Sequence, residues 1–415
     1  MISLKTGYMP VVYYTSGYMT YCIDGLGFPP RRVFSYHTMD ELEVLIQRQS
    51  TRKDIKDPKI DTSIAGRSYQ MGAIRAVCNA FSNNRRRSLV VLATGTGKTR
   101  LSIALSDILL KANWVKNILF LADRTSLVSQ AHKNFTKLLP NVTSSVFTGD
   151  SLEKDTKARI IFSTYQTMIN LVQGEHKAFG IGRFDLIIID EAHRSLFRKY
   201  RSIFDYFDSM MLGLTATPRC EEEKSTFEVF QLPSNTPDYD YELEEAVKDG
   251  YLNSFALLDR TTELIKRNKK YSDLTEEEKD KLDEDFGEDN EVLKNFKEKD
   301  ELVLSDKAIN IPTIDAMLGD LMKNGIHVDN GDKIGKTIIF AKSHLEAKTI
   351  CAEFSRLYPN LGNGFCKLID CQTEGSQKTL DSFELRDKLP QIAVSVDMLD
   401  TGIDVPDILN LVFFK

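Results

Sequence analysis

The run Ser88-Leu-Val-Val-Leu-Ala-Thr-Gly-Thr-Gly-Lys98-Thr99 reads as a buried strand that turns through two glycines into a helix. Gly95 and Gly97, with Thr96 between them, can adopt backbone angles that aim successive N–H groups inward. A helix starting near Lys98 adds the positive end of its dipole, so the turn is suited to an anion. Lys98 would reach the β and γ phosphates of a nucleoside triphosphate, and the Thr99 hydroxyl would complete the coordination of a magnesium ion bridging them. The pattern G-x-x-x-x-G-K-[ST] has Leu92 where its first glycine usually stands. The bland alternative is a glycine turn ahead of a helix with no ligand.

A second run narrows the choice. Phe184-Asp-Leu-Ile-Ile-Ile-Asp190-Glu191-Ala192-His193 is a continuous apolar stretch, as expected of a strand covered on both faces of a parallel sheet, and it ends in two carboxylates. Ligands of open α/β sheets sit at that carboxyl edge. Asp190 is suited to holding magnesium, and Glu191 to orienting and deprotonating the water that attacks the γ phosphate.

Both runs need a parallel sheet to position them. From about residue 60 to Pro237, apolar strands at Leu89–Leu92, Asn117–Leu121, Arg159–Ser163, Leu186–Asp190 and Met211–Leu214 alternate with helical patterns. The pattern predicts a parallel sheet with helices on both faces. A second such pattern starts near Ser254 and resumes at Lys336–Ala341 and Gln391–Val396. Residues 1–60 differ: Val11 to Cys22 reads as two aromatic strands around a Ser-Gly turn, Pro29-Pro30-Arg31-Arg32 breaks the pattern, and Met39–Arg48 reads as a helix. So little chain buries too small a core to stand alone, and it is expected to pack on a neighbour or be the remnant of a larger domain. The expected division is 1–60 as connector, 61–238 as a first lobe and 239–415 as a second, incomplete lobe, with no internal repeat.

Composition bounds the function. The chain has no run of eighteen apolar residues and no basic segment leading into an apolar core, so neither a membrane span nor a signal peptide is expected, and the reading is cytoplasmic. Six scattered cysteines without a C-x-x-C pair, and six dispersed histidines, point to free thiols rather than zinc. The net charge of −6 is uneven: residues 271–302 carry fourteen acidic and five basic side chains, which leaves +3 on the rest of the chain. That segment reads as a solvated helix or insertion in the second lobe, and overall charge neither requires nor forbids a nucleic-acid partner.

Five further stretches complete the series: Arg67-Ser-Tyr-Gln70, Leu121-Ala-Asp-Arg124, Thr148-Gly149-Asp150, Ser163-Thr164-Tyr165-Gln166-Thr167 and Leu214-Thr215-Ala-Thr217-Pro218. In this order and spacing the motifs resemble those of superfamily 2 helicases and translocases, over most of residues 61–415. The resemblance implies two RecA-like lobes in tandem with ATP and Mg2+ in the cleft between them. Gln70 would read the adenine edge. Thr215 and Thr217, with His193 of the carboxylate motif, would couple the nucleotide site to the DNA path. Arg124, Thr148, Gly149, Ser163 and Thr164 would contact the backbone of one strand without reading sequence. In the second lobe Ile339-Phe-Ala-Lys342 looks like the opening strand, and Gly402 and Asp404 of Asp397-Met-Leu-Asp-Thr-Gly402-Ile-Asp404-Val-Pro406 match the motif that closes on the nucleotide. Thr401 stands where DEAD-box helicases carry arginine. The arginine-finger motif of the Q-x-x-G-R type would lie about thirty residues past that motif, beyond Lys415.

The wording of Ala-Thr-Gly-Thr-Gly-Lys-Thr, Asp-Glu-Ala-His-Arg-Ser, the Asp397–Pro406 run and the lead-in Pro29-Pro-Arg-Arg-Val33 resembles, more narrowly, the motor (R) subunit of type I restriction endonucleases. That implies an ATP-dependent double-stranded DNA translocase, with methyltransferase and specificity subunits as partners. A nuclease of the PD-(D/E)xK type would lie upstream of Met1, residues 8–50 would be its last strands and connector, and the fragment would bind nucleotide better than it turns it over. Glu346-Ala-Lys348 fits the nuclease text but lies in a helical pattern, and Glu277-Glu278-Lys279 lies in the acidic segment. Three alternatives remain at this stage: a type III restriction subunit, a DNA-repair helicase, and a nucleotide-dependent DNA clamp without turnover.

Overall fold

The computed structural model describes residues 7–149, 155–174, 177–192, 196–216, 230–232, 236–258, 311–370, 372–373, 375–396, 398–399 and 405–414. The chain divides into two compact units, Met1–Phe255 and Ala256–Lys415.

The first unit opens with a three-stranded antiparallel sheet, β1 (Val12–Thr15), β2 (Thr20–Ile23) and β3 (Arg31–Val33), followed by helix α1 (Met39–Thr51). The sequence predicts only a hairpin here, broken at Pro29-Pro30. The prolines instead end the β2–β3 connection, and Arg31 pairs with Cys22 as the first residue of a third strand. Thr38 and Glu41 start α1 with a reciprocal capping box. Cys22 and Val33 of the small sheet are buried in the same apolar cluster as Leu119, Ile187 and Met211 of the main sheet, so this segment is packed on its neighbour.

That main sheet has seven parallel strands in the order β10-β4-β9-β8-β5-β7-β6. They are β4 (Arg87–Leu92), β5 (Ile118–Ala122), β6 (Ser144–Phe147), β7 (Ile160–Thr164), β8 (Leu186–Asp190), β9 (Met210–Thr215) and β10 (Tyr239–Tyr241). Their alternate residues feed two cores. Val90, Phe120, Phe162, Ile188 and Leu212 face α2 (Ser68–Ser82), α3 (Lys98–Lys111) and α4 (Thr125–Leu138), whereas Leu89, Leu121, Ile161, Ile189 and Met211 face α5 (Tyr165–Gln173) and α6 (Leu196–Tyr206). Two covered faces explain why these strands read as unbroken apolar runs. β10 lies past the expected lobe boundary, yet Tyr239 and Tyr241 pair with Val90 and Leu92, which makes it a strand of the first sheet. A short helix α7 (Leu243–Lys248) follows.

The second unit holds a four-stranded parallel sheet, order β14-β15-β13-β16, and a hairpin β11–β12 (His327–Val328, Lys333–Ile334). The strands are β13 (Lys336–Ala341), β14 (Cys366–Leu368), β15 (Ile392–Ser395) and β16 (Ile408–Phe414). Helices α8 (Ile311–Asn324) and α9 (His344–Leu357) cover one face through Ile314, Leu318, Ile350 and Phe354, and α10 (Ser376–Phe383) covers the other through Leu380 and Phe383. Both units are therefore parallel α/β layers of the RecA-like kind. Glu346 sits in the first turn of α9, where its carboxylate accepts the Lys342 N–H at 2.6 Å, a capping role and not a strand position. Among the described residues no helix is long and apolar enough to cross a membrane.

Candidate nucleotide site

The carboxyl ends of the seven strands form one edge, and most of the first-unit motif residues lie on it. β4 runs into the glycine turn, β8 ends at Asp190, β9 at Thr215, β5 leads to Arg124, β6 to Thr148 and Gly149, and β7 ends with Ser163 and Thr164. Sequence positions spread over 120 residues are gathered here because every strand is parallel and each crossover returns the chain to the same start.

The glycine turn has the expected geometry. Gly95 and Gly97 adopt φ of +83° and +89°, in the left-handed region. Gly97 is also the N-cap of α3, with no side chain blocking the first N–H groups of the helix. A Cβ on Gly97 would lie 2.7 Å from Gln70 Nε2, so the cradle holds its shape only with glycine. Leu92 replaces a glycine without penalty because it is still the last residue of β4, fully buried in the first core, and no positive φ is required there.

Three hydrogen bonds fix the loop from inside. Thr96, fully buried, donates its hydroxyl to the Ala93 carbonyl at 2.6 Å, and its own carbonyl accepts from Tyr69 Oη at 2.7 Å and Gln70 Nε2 at 2.9 Å. Gln70 is 2% exposed and also caps α2 by accepting the Arg67 N–H at 3.4 Å. In this structure it props the phosphate loop. Tyr69, a residue to which the motif pattern gives no role, shares that task and stacks on Tyr241 at a centroid distance of 4.2 Å. Its signal was its place beside Gln70.

Lys98 Nζ donates to the Leu92 carbonyl at 3.4 Å and lies 4.0 Å from Glu191 Oε1. Glu191 is 8% exposed and held at φ +56°, a left-handed conformation that is uncommon for a residue with a side chain. Strain of this kind, of order 1–3 kcal/mol, is maintained at functional sites by the surrounding packing. Here the Glu191 N–H donates to Asp190 Oδ1 at 3.2 Å and the next N–H, of Ala192, to the Leu214 carbonyl of β9. Tyr165 donates its hydroxyl to the Asp190 carbonyl at 3.1 Å. Burial pushes that phenol well above its ordinary range, and the nearby charges of Asp190, Asp123 and Glu191 add to the shift, so it stays protonated as a donor. The set fits a magnesium nucleotide: an ammonium, a threonine hydroxyl and a carboxylate on the edge where a glycine cradle opens.

The other motif residues divide by exposure. Arg124 precedes α4, half-buried, while Thr148 is half-buried and Gly149 exposed after β6. Ser163 is fully buried, its hydroxyl donating to the Phe147 carbonyl at 2.8 Å, and Thr164 is the N-cap of α5, accepting the Thr167 N–H at 3.2 Å. Thr215 is 2% exposed at the end of β9, paired with Val91. His193, Thr217, Gly402 and Asp404, together with Thr401 and the acidic stretch 271–302, lie outside the described residues.

Cys22, His37 and Asp208 bring ligand-type atoms within 4.8 Å of one another at the opposite edge of the sheet. Their chemistry is a charge clamp: Asp208 accepts from Arg31 at 2.6 Å and Arg86 at 2.8 Å and faces His37 at 3.2 Å, while burial lifts the Cys22 thiol to about 11. Two guanidiniums leave no room for a cation beside that carboxylate.

Residues 63–220 match the family described as "Type III restriction enzyme, res subunit". The endonuclease subunit of the type I restriction enzyme EcoKI of Escherichia coli K12 is 29% identical over 385 residues, covering 84% of this chain and 31% of that protein. The corresponding EcoAI subunit of Escherichia coli is 30% identical over 353 residues, covering 81% of this chain and 40% of that protein. The chain thus spans about a third to two-fifths of the length of these curated relatives. A fragment structure described as an HsdR subunit of a type I restriction enzyme from Vibrio vulnificus YJ016 shares the fold at a TM-score of 0.56 and 22% identity, covering 98% of this chain and 68% of that one.

Proposed function

We propose, from the premise that this chain is a homologue of type I restriction endonuclease R subunits carrying a superfamily 2 motor, that it is an ATP-driven translocase of double-stranded DNA. The observation that carries this reading is the shared edge. The phosphate loop, the Asp190–Glu191 pair and the backbone-contact positions Arg124, Thr148 and Gly149 all stand at the carboxyl ends of one parallel sheet. Lys98, Thr99 and Asp190 would hold ATP with Mg2+, which when bound neutralises charge on the β and γ phosphates. Glu191, its backbone held at φ +56°, would take the proton of the attacking water. Ser163 and Thr164 would support the DNA-contacting edge from the end of β7 and the start of α5, and Gln70 would shape the pocket in which the adenine of ATP is read. His193, Thr215 and Thr217 would link the two tasks, and Gly402 and Asp404 would complete nucleotide binding. In the whole protein, methyltransferase and specificity subunits are the proposed partners, and DNA movement would lead to cleavage by a nuclease domain.

The type III description covers the motor core, whose motifs both restriction systems share, whereas the relatives matched over more than four-fifths of the chain are type I subunits. Lys98→Ala tests the reading. ATP turnover stimulated by duplex DNA should fall to background in the full-length subunit, and unchanged stimulated hydrolysis would sink the assignment. Duplex binding that depends on nucleotide without any turnover by the unsubstituted protein would favour the clamp.

A further inference from the structure

The motif residues do not by themselves account for how the phosphate loop is held. Its inner side is tied by Thr96, Tyr69 and Gln70, but Gly95, at φ +83° and exposed, forms the outer turn. There the neighbour is Leu252, whose Cδ2 lies 3.2 Å from the position a Gly95 Cβ would take. Leu252 is placed by a chain of backbone bonds. β10 pairs with β4 to the end of both strands, Tyr241 opposite Leu92, and just beyond them the Ala93 N–H donates to the Tyr241 carbonyl at 3.0 Å. After α7 and its C-cap Asp249 the chain turns at Gly250, φ +76°, and the N–H groups of Tyr251 and Leu252 both return to the Ala246 carbonyl, at 2.9 and 3.1 Å. Tyr251 adds a second tie, edge-on to Tyr69 at 5.1 Å and beneath the Arg67 guanidinium at 5.2 Å.

We propose that Leu252 is a positioning residue for ATP, a side chain outside every nucleotide motif that presses on Gly95 and keeps the loop's N–H groups turned toward the phosphates. The inference rests on the reading of this loop as a nucleotide site. Removing the side chain frees Gly95, a glycine with wide backbone freedom, and the cost appears when phosphate must be bound. Leu252 lies four residues before Ala256, where the second unit begins, so nucleotide affinity becomes sensitive to the stretch of chain that leaves the first unit.

The test is titration of the 415-residue chain with a fluorescent ATP analogue, beside thermal melting without nucleotide. Leu252→Ala should weaken binding about fivefold, the loss expected for one half-buried leucine contact, with the nucleotide-free melting temperature unchanged and Leu252→Met close to wild type. Equal affinity in Leu252→Ala overturns the proposal, as does an equal loss in Leu252→Met, because a residue of the same volume should restore the contact. If alanine lowers the melting temperature, Leu252→Val is judged by the same two criteria. Absence of binding by the unsubstituted chain would instead overturn the reading of the site, and the inference with it.

Discussion

The two edges of the seven-stranded sheet carry similar residue types and do opposite work. At the carboxyl edge Lys98 and Glu191 stay 4.0 Å apart, beside a glycine cradle in which no side chain caps the start of α3. At the amino edge the carboxylates are saturated. Asp185, ahead of β8, accepts from Arg48 at 2.5 Å and from the Lys116 and Asn117 N–H groups. Asp208, ahead of β9, is gripped by Arg31 and Arg86. Asp238, ahead of β10, accepts from Arg85 at 2.5 Å, Ser88 Oγ and the Leu89 N–H. At the carboxyl edge the Glu191 carboxylate lies 4.0 Å from one ammonium, whereas the aspartates that fasten the connector and strand starts each accept several hydrogen bonds at 2.5–3.3 Å. Removing one partner from a buried, fully bonded charge leaves the other uncompensated, which is costly.

Substitutions at the two edges should therefore fail in different ways. The largest effect is expected for Glu191→Gln, which should keep ATP binding and lower turnover by about two to four orders of magnitude. Equal loss of both, measured by analogue binding and single-turnover hydrolysis, would make Glu191 a structural residue and erase the contrast. Asp208→Ala should do the reverse. It strands two buried guanidiniums and should cost about 3–5 kcal/mol in chemical denaturation of the first unit, with nucleotide affinity of the folded protein retained. A stability within error of wild type would show that the clamp is dispensable.

The smallest effect concerns pH. Burial alone would raise the Asp208 carboxyl, but Arg86, His37 and Arg31 outweigh it and hold the group well below the usual carboxylate range. Its stabilising contribution is thus complete above the unfolded value near ~3.9 and is lost as pH falls from there toward the depressed folded value. Thermal melting between pH 5 and 2, on the order of the carboxylate range, should show a shallower acid limb in Asp208→Asn than in wild type. Parallel limbs would mean that other carboxylates dominate acid unfolding.

Much of the carboxyl edge was legible in the chain. The glycines of the phosphate loop, the apolar run into Asp190 and the strands at Leu89, Leu186 and Lys336 are patterns confined to about ten neighbouring residues, and hydrophobic periodicity reports them directly. The amino edge was not. Arg31 and Asp208 are 177 positions apart, Arg48 and Asp185 137, and Arg85 and Asp238 153. Nothing within a local window marks an arginine for a buried partner. β6, β10 and β14, of three or four residues each, were missed because so short a strand gives too few residues to show a period.

The sequence by itself determined the chemistry: a loop that needs glycine at positions 95 and 97, a lysine and threonine at a helix start, and two carboxylates at a strand end. These follow from backbone freedom and side-chain type, which are properties of each residue and its neighbours. Only the tertiary structure decided that β10 belongs to the first sheet, that residues 7–53 are clamped to it by aspartates, that Gln70 and Tyr69 prop the loop from within, and that Leu252 covers Gly95. Each of these is a contact between distant parts of the chain, set by strand order and close packing, and such contacts leave no repeat in the sequence to read.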